Sequence, residues 1–286
     1  MIRPMRSWSR TALVCLATLV PASLPAAVRP PAPAKRATAR GAMVRIPAGS
    51  YRPLYAPPGV TRVQVHAFAL DRTPVTRSAY LRFVRANPQW ARGSVQSRLA
   101  DAGYLADWPS ASSAGDAADL ERPVTGVSWY AAKAYCTSQG KRLPAVDEWE
   151  LAAAASETKQ DASGDPAFRR RLSTLYAARR GGVPPMVRHT SPNLYGVSDL
   201  HGVVWEWTSD FNATATDHEH HAGRHDAHAV GRDKAAARHL YCASSAIGAT
   251  DPTDYPAFVR YAVRSALTAS STTSGVGFRC AADQVV

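Results

Sequence analysis

The sequence predicts an α+β domain that has few, short regular elements and much irregular chain. Segments near residues 43–49 and 63–67 either end at a Pro/Gly turn or alternate apolar and polar side chains, which is typical of short strands. Three later segments have apolar residues at helical spacing, and two of them begin after a polar helix cap. Residues 87–122 and 156–192 are polar, punctuated by Gly and Pro and weakly periodic, which predicts functional loops or a fold poor in regular structure.

Two of the three predicted helices begin at polar caps. Thr76 precedes a helix whose aromatic and aliphatic residues recur at helical spacing. Ser128 precedes a second helix, and Gly140 ends it where a left-handed residue is needed. A third helix is expected from about Ala145 to Ala155.

The first residues have the composition of an export signal. Three arginines form a basic start, residues 11–20 are apolar, and residues 23–27 offer small side chains for cleavage. A transmembrane helix is the competing interpretation, but the apolar run is about half of the ~20 residues that a span needs. We therefore expect a signal peptide at residues 1–27, a periplasmic or secreted mature protein, and no stable membrane insertion after signal removal.

A tether is expected to follow the signal. Residues 28–42 are rich in Pro, Ala, Lys and Arg and have almost nothing to bury, so one folded domain should occupy residues 43–286. The formal net charge is +12, and three of the positive charges belong to the signal. Because the basic residues are scattered rather than grouped in aromatic-studded stripes, no nucleic-acid partner is expected. Attraction of the basic surface to acidic partners stays open.

Several sequence blocks, taken together, resemble one family. In chain order they are Phe68–Asp71, Val75–Thr76, Tyr80, Pro123–Val124, Val127–Trp129, Ala134–Cys136, Gly140–Pro144, Glu148–Glu150, Tyr195–Val197, Gly202, Trp205–Trp207 and Gly277–Ala281. This set resembles the formylglycine-generating enzymes, the sulfatase-modifying-factor family, over nearly the whole mature chain. The resemblance implies a C-type-lectin-like fold with mixed helix and sheet and much irregular structure.

The cysteine count leaves one thiol without a partner. The mature chain keeps Cys136, Cys242 and Cys280, so an oxidising compartment should give one disulfide and one odd thiol, and spacing does not decide which two pair. The family resemblance implies a structural bridge between Cys136 and Cys280. Cys242 would then be free.

The chain departs from the family at the catalytic cysteines. Oxidase members hold copper(I) and the substrate thiol with two cysteines between a Gly-Gly-Ser segment and a final Arg-Ser. The counterparts here are residues 243–245 and 264–265, and both cysteine positions fall within residues 247–256, which contain no cysteine. Soft copper(I) selects sulfur ligands, so the usual formylglycine mechanism is not expected. Cys242 is a candidate lone active thiol, with a small buried core residue as the alternative.

The resemblance also implies pocket and calcium residues. The pocket candidates are Trp205, Glu206, Ser245, Tyr261 and Arg264. Val203 stands where the family's calcium-binding asparagine would follow Gly202, so one oxygen ligand is missing. Because calcium takes six to eight oxygens, the calcium site is doubtful, and Glu206 is either a remaining ligand or a paired structural residue.

A histidine-rich insert within residues 217–228 is the second departure. Imidazole suits zinc and copper, and such tracts can bind them without a preorganised cage. The alternative is a solvated polar loop. The candidate metal ligands are His218, His220, His221, His225 and His228.

Two functions remain open from the sequence. The first is modification or maturation of an exported protein, which would be the substrate or client. The second is a noncatalytic binding or assembly factor for a periplasmic enzyme, for example a metalloenzyme. The missing cysteines favour the second function, whereas the intact motifs around the pocket keep the first function open.

Overall fold

A computed structural model of the 286-residue chain describes residues 43–56, 59–179, 182–212 and 249–283. The expected signal peptide and tether lie outside these ranges. Within them, no helix is long and apolar enough to cross a membrane.

The strands of the described ranges are short and form three small sheets. They are β1 (Met43–Ile46), β2 (Gly49–Tyr51), β3 (Val63–Val65), β4 (Phe68–Asp71), β5 (Trp205–Glu206), β6 (Val276–Gly277) and β7 (Ala281–Asp283). An antiparallel sheet has the order β1-β4-β7, β2 and β3 form an antiparallel pair, and β5 pairs with β6 in parallel. Strands β1 and β7 therefore flank β4, one on each side.

Helices account for more of the described chain than strands do. They are α1 (Arg77–Ala86), α2 (Trp129–Ser138), α3 (Val146–Ala153), α4 (Pro166–Ala178) and α5 (Tyr255–Ala266), with 3₁₀ turns at Pro88–Trp90 and Ala117–Asp119. Long irregular segments join them, so the α+β prediction with much irregular chain is confirmed.

The three helices expected from the sequence are present. Thr76 Oγ1 accepts a hydrogen bond from Ala79 N and caps α1, and Ser128 Oγ accepts one from Ala131 N and caps α2. Gly140 follows α2 with φ of +66°, the left-handed conformation expected there. Helix α3 is two residues shorter at its C-terminal end than expected, because it ends at Ala153.

The expectation of irregular chain throughout residues 156–192 was wrong, because α4 lies inside this segment. Asp165 caps α4 through a hydrogen bond from Ala167 N, and Pro166 occupies its first turn. Phe168, Leu172 and Tyr176 form its buried face at a spacing of four residues. These local signals were present in the sequence, but three consecutive arginines between them hid the apolar stripe.

A disulfide lies within the main hydrophobic core. Cys136 on α2 is bonded to Cys280 just before β7, the pair that the family resemblance implies. Both cysteines are fully buried and belong to a core that also contains Tyr80, Trp108 and Phe278. The bridge therefore connects helix α2 to the last strand of the domain.

Candidate functional site

The Trp-Glu-Trp block places two of the pocket candidates on opposite sides of one strand. Trp205 and Glu206 are neighbours on β5, and successive strand residues point to opposite faces. Trp205 is half-buried and lines an open cavity, whereas Glu206 is buried. The structure therefore separates two residues that the sequence had grouped in one pocket.

Both carboxylate oxygens of Glu206 are occupied by protein donors. Arg279 donates to Glu206 Oε2 from Nε and to Oε1 from Nη2, each at 2.8 Å. Trp149 Nε1 donates to Oε2 at 2.8 Å. Among the described residues no cluster of three His, Cys, Asp or Glu side chains is placed to hold a metal ion. This geometry favours Glu206 as a paired structural residue and does not fit a calcium ligand.

A second buried carboxylate joins α3 to α5. Glu150 on α3 accepts hydrogen bonds from Arg260 Nη2 and Arg264 Nη1, both at 2.7 Å. Burial alone would raise the pKa of Glu150, but the two guanidiniums hold it at about 2. The pocket candidate Arg264 is therefore part of a buried ion cluster that fastens two helices.

Trp149 connects the two buried carboxylate clusters. Its Nε1 donates to Glu206, and the Arg264 guanidinium lies 5.0 Å from the centre of its ring. Tyr261 lies next to this arrangement, with its ring 5.7 Å from the same guanidinium. Glu206 and Arg264 therefore both contact Trp149, and Tyr261 contacts Arg264. These residues lie in the packed interior rather than around an open pocket. The adjoining cavity, lined by Glu150 and Tyr261 among others, measures about 30 Å³, room for little more than water.

His201 is a functional candidate that the sequence did not single out. Its Nδ1 is 2.8 Å from Tyr176 Oη, and its Nε2 is 3.0 Å from the Ala153 carbonyl oxygen. A carbonyl only accepts, so Nε2 carries the proton and Nδ1 accepts from the tyrosine. Burial lowers the pKa of His201 to about 3, which keeps the ring neutral. The only sequence signal was its place beside Gly202 in a family block.

Two open cavities lie on either side of His201. One measures about 250 Å³ and is lined by Phe168, Arg171 and Asn193 among others. The other measures about 520 Å³ and is lined by Arg179 and Trp205 among others. Both have His201 in their walls, and both are bordered by α4. Helix α4, which the sequence analysis did not predict, therefore forms part of the walls of both cavities.

The segment in which the family resemblance places the cysteine pair is held by salt bridges and a helix cap. In its described part, residues 249–256, Asp251 accepts from Arg169 Nη2 at 2.6 Å and from Thr253 Oγ1 at 2.6 Å. Asp254 caps α5 by accepting from Ala257 N. The Thr253 hydroxyl and Arg169 keep the pKa of Asp251 at about 2. These hard oxygens are engaged by protein donors, and the segment has no sulfur, so it does not fit copper(I).

The remaining candidates lie outside the described residues. These are the thiol candidate Cys242, the pocket candidate Ser245 and the histidines of residues 217–228. Their roles, including copper or zinc binding by the histidines, stay predictions.

The fold and site define an α+β domain whose family motifs form buried ion clusters, and comparison with known proteins identifies the family. A model of the sulfatase-modifying factor enzyme 1-like domain matches residues 29–284. The chain therefore belongs to this family, as a divergent member.

Relatives of both the active and the inactive type are similar to this chain. The inactive C-alpha-formylglycine-generating enzyme 2 of Mus musculus is 28% identical, with 84% of this chain and 85% of the relative covered. The formylglycine-generating enzyme of Streptomyces coelicolor is 27% identical, with 92% and 96% covered. Among solved structures, PvdO from Pseudomonas aeruginosa is 18% identical with a TM-score of 0.47, covering 85% of this chain and 94% of that one.

Proposed function

We propose that this chain is an exported sulfatase-modifying-factor-domain protein that supports the maturation of another exported protein by binding it. It does so without the copper and dithiol oxidation of the family's oxidases. The client is a polypeptide in the periplasm or outside the cell, and the expected signal peptide sends this chain to the same place.

The observation that carries the proposal is the chemistry of residues 249–256. Where an oxidase needs two thiolates, this segment offers Asp251 and Asp254, and both are held by partners within the protein. A carboxylate with a low pKa that is bonded to Arg169 is a poor ligand for copper(I) and cannot form a disulfide with a substrate thiol. The oxidase route therefore lacks its reacting groups in this segment.

The rest of the scaffold supports a binding role. The Glu206–Arg279 and Glu150–Arg260–Arg264 clusters lock the strands and helices around the cavities. Cavities of about 250 and 520 Å³ stay open beside them. A rigid frame with open cavities can hold a partner with little ordering cost, which favours affinity.

The histidine-rich segment favours a more specific form of this proposal, in which the client contains a metal. Five histidines within residues 217–228 could collect copper or zinc and present it to a metalloenzyme during assembly. In this version the protein is an assembly factor for a periplasmic metalloenzyme.

Deletion and rescue test the proposal in the host cell. Deleting the gene should lower the amount of at least one mature exported protein, measured by mass spectrometry of the exported fraction. Both the wild-type chain and Cys242→Ser should restore it, because binding does not need the thiol. Rescue by wild type but not by Cys242→Ser would contradict the binding proposal and make Cys242 a reacting group.

An in vitro assay tests the chemistry separately. The purified protein with copper(I), oxygen and a cysteine peptide of sulfatase type should give no formylglycine, with the Streptomyces coelicolor enzyme as positive control. Appearance of the aldehyde mass would overturn the proposal.

A further inference from the structure

The larger cavity contains an arginine that has no acidic partner among the described residues. We call it the Arg179 cavity, and it measures about 520 Å³. This size is within the range of small-molecule sites, about 300–1,000 Å³. The lining residues considered as ligand contacts are Leu175, Arg179, Val183, Pro184, Val203 and Trp205.

Three buried arginines of this domain are paired with carboxylates. Arg260 and Arg264 share Glu150, and Arg279 is bonded to Glu206. Arg179 donates instead to the carbonyl oxygen of Gly275, which carries no net charge. Among the residues that the structure describes, no aspartate or glutamate lines the cavity. Glu206 is the carboxylate that acts on Arg179 from a distance, and it is already bonded to Arg279. Within the described part of the chain, Arg179 therefore has no carboxylate of its own, and an external anion could balance its charge.

The position of Arg179 is fixed by its surroundings. Its guanidinium lies 4.7 Å from the centre of the Trp205 ring, and Trp205 packs on Tyr176 with ring centres 5.0 Å apart. A Cβ atom on Gly275 would lie 2.9 Å from Arg179 Nη2, so the glycine allows this close approach. Burial lowers the pKa of Arg179 to about 10, and the group stays charged at neutral pH. Because a guanidinium has five N–H donors, others remain for a ligand after the bond to Gly275.

Part of the cavity wall beside this charge is apolar, and Pro184 in it is anchored. Pro184 is held by a hydrogen bond of 2.6 Å from Arg122 Nη1 to its carbonyl oxygen, and Val187 N donates to the Glu121 carbonyl oxygen. Val183 is 66% exposed at the rim, a large apolar side chain in contact with water. A ligand that covered Val183 would gain from removing this surface from water.

We propose that the Arg179 cavity binds an organic carboxylate with an apolar or aromatic body. The carboxylate would accept hydrogen bonds from Arg179, and the body would lie on Trp205 and the Pro184 wall. Charge-assisted bonds to a guanidinium are stronger than neutral ones, so the carboxylate dominates recognition. The inference goes beyond the proposed function and does not depend on it, because a small acid and a polypeptide carboxylate carry the same group.

Titration calorimetry with a matched pair of probes tests the site. N-acetyl-L-phenylalanine carries the carboxylate, and N-acetyl-L-phenylalaninamide has the same body without the charge. On the mature protein the acid should bind at least tenfold more tightly than the amide. Arg179→Gln should weaken binding of the acid at least tenfold and leave binding of the amide unchanged.

Two further variants separate the site from a general charge effect. Arg171→Gln removes the same charge from α4, but Arg171 lines the other cavity and pairs with Glu157, so affinity for the acid should stay within twofold. Gly275→Ala keeps every charge but displaces the guanidinium, so it should weaken binding of the acid. Thermal unfolding should show that all variants fold. Equal binding of acid and amide, equal effects of Arg179→Gln and Arg171→Gln, or no binding of either probe would overturn the proposal.

A further calorimetry experiment with peptides identifies the source of the carboxylate. A decapeptide ending in phenylalanine is compared with its C-terminal amide. Arg179-dependent binding of the free-acid peptide would assign the site to a polypeptide terminus. Binding of the small acid alone would assign it to a free metabolite, with the Arg179 site upheld in both cases.

Discussion

At the scale of single residues, hydrogen-bond partners decide what each family motif residue does in this chain. His201 donates from Nε2 to a backbone carbonyl and accepts at Nδ1 from Tyr176. This pattern suits only the neutral ring, and burial lowers its pKa to about 3. In the unfolded chain the same ring should protonate near its ordinary pKa of ~6.5. His201 therefore makes folding depend on pH.

The sign of this dependence gives a prediction for His201→Gln. Between pH 6.5 and 3 the unfolded state binds a proton that the folded state does not, so stability falls as pH falls, by up to about 1.4 kcal/mol per pH unit. The free energy of unfolding, measured with denaturant at pH 7.5 and 5.0, should fall less in His201→Gln than in the wild type. The matched control is His189→Gln, an exposed histidine, which should keep the wild-type dependence. A variant as pH-sensitive as the wild type would contradict this assignment.

At the scale of elements, the sequence predicts the helices that neighbouring residues stabilise. It misses a helix whose stabilising partner lies far away along the chain. Helices α1 and α2 were predictable because Thr76 and Ser128 lie next to the helices that they cap. Helix α5 was missed because Arg260 and Arg264, which look like solvent-facing residues, form its buried face. Their partner Glu150 is 110 residues away from Arg260, and no spacing rule indicates such a pair. The same applies to Arg179, whose Gly275 contact spans 96 residues.

The α3–α5 ion cluster gives a prediction for Glu150→Gln. Removing the carboxylate charge leaves two buried guanidiniums without a counter-charge, so the free energy of unfolding should fall by about 3–5 kcal/mol. The control is Glu157→Gln, which breaks the exposed pair with Arg171 and should cost less than about 1 kcal/mol. Chemical denaturation at pH 7 checks both values. Equal small losses in the two variants would show that α5 is not fastened by Glu150.

The pH dependence of the same cluster has a definite window. The folded-state pKa of Glu150 is about 2, below its ordinary value of 4.5. Its contribution is therefore fully present above about pH 4.5 and is lost as pH falls towards 2. Glu150→Gln should lack this part of the acid sensitivity.

At the scale of the whole molecule, a domain with small sheets and long irregular segments needs a constraint between distant parts of the chain. The bridge from Cys136 to Cys280 joins residues 144 positions apart and closes most of the described domain into one loop. It links α2 to the end of the chain that forms β7, and β7 pairs with β4 near the start of the domain. The segments that carry Trp205, Arg179 and His201 all lie inside this loop.

Closing so long a loop removes much conformational entropy from the unfolded chain. The chain-entropy relation gives about 5 kcal/mol for this separation, so the double variant Cys136→Ala/Cys280→Ala should lose about that free energy of unfolding. The oxidised and the reduced proteins are compared by denaturant titration with and without dithiothreitol. The reductant should destabilise the wild type to near the level of the double variant and leave the variant unchanged, because the variant has no intramolecular bridge to reduce. A wild type that is insensitive to reductant after complete reduction would mean that packing around Tyr80 and Phe278 alone holds the last strand in place.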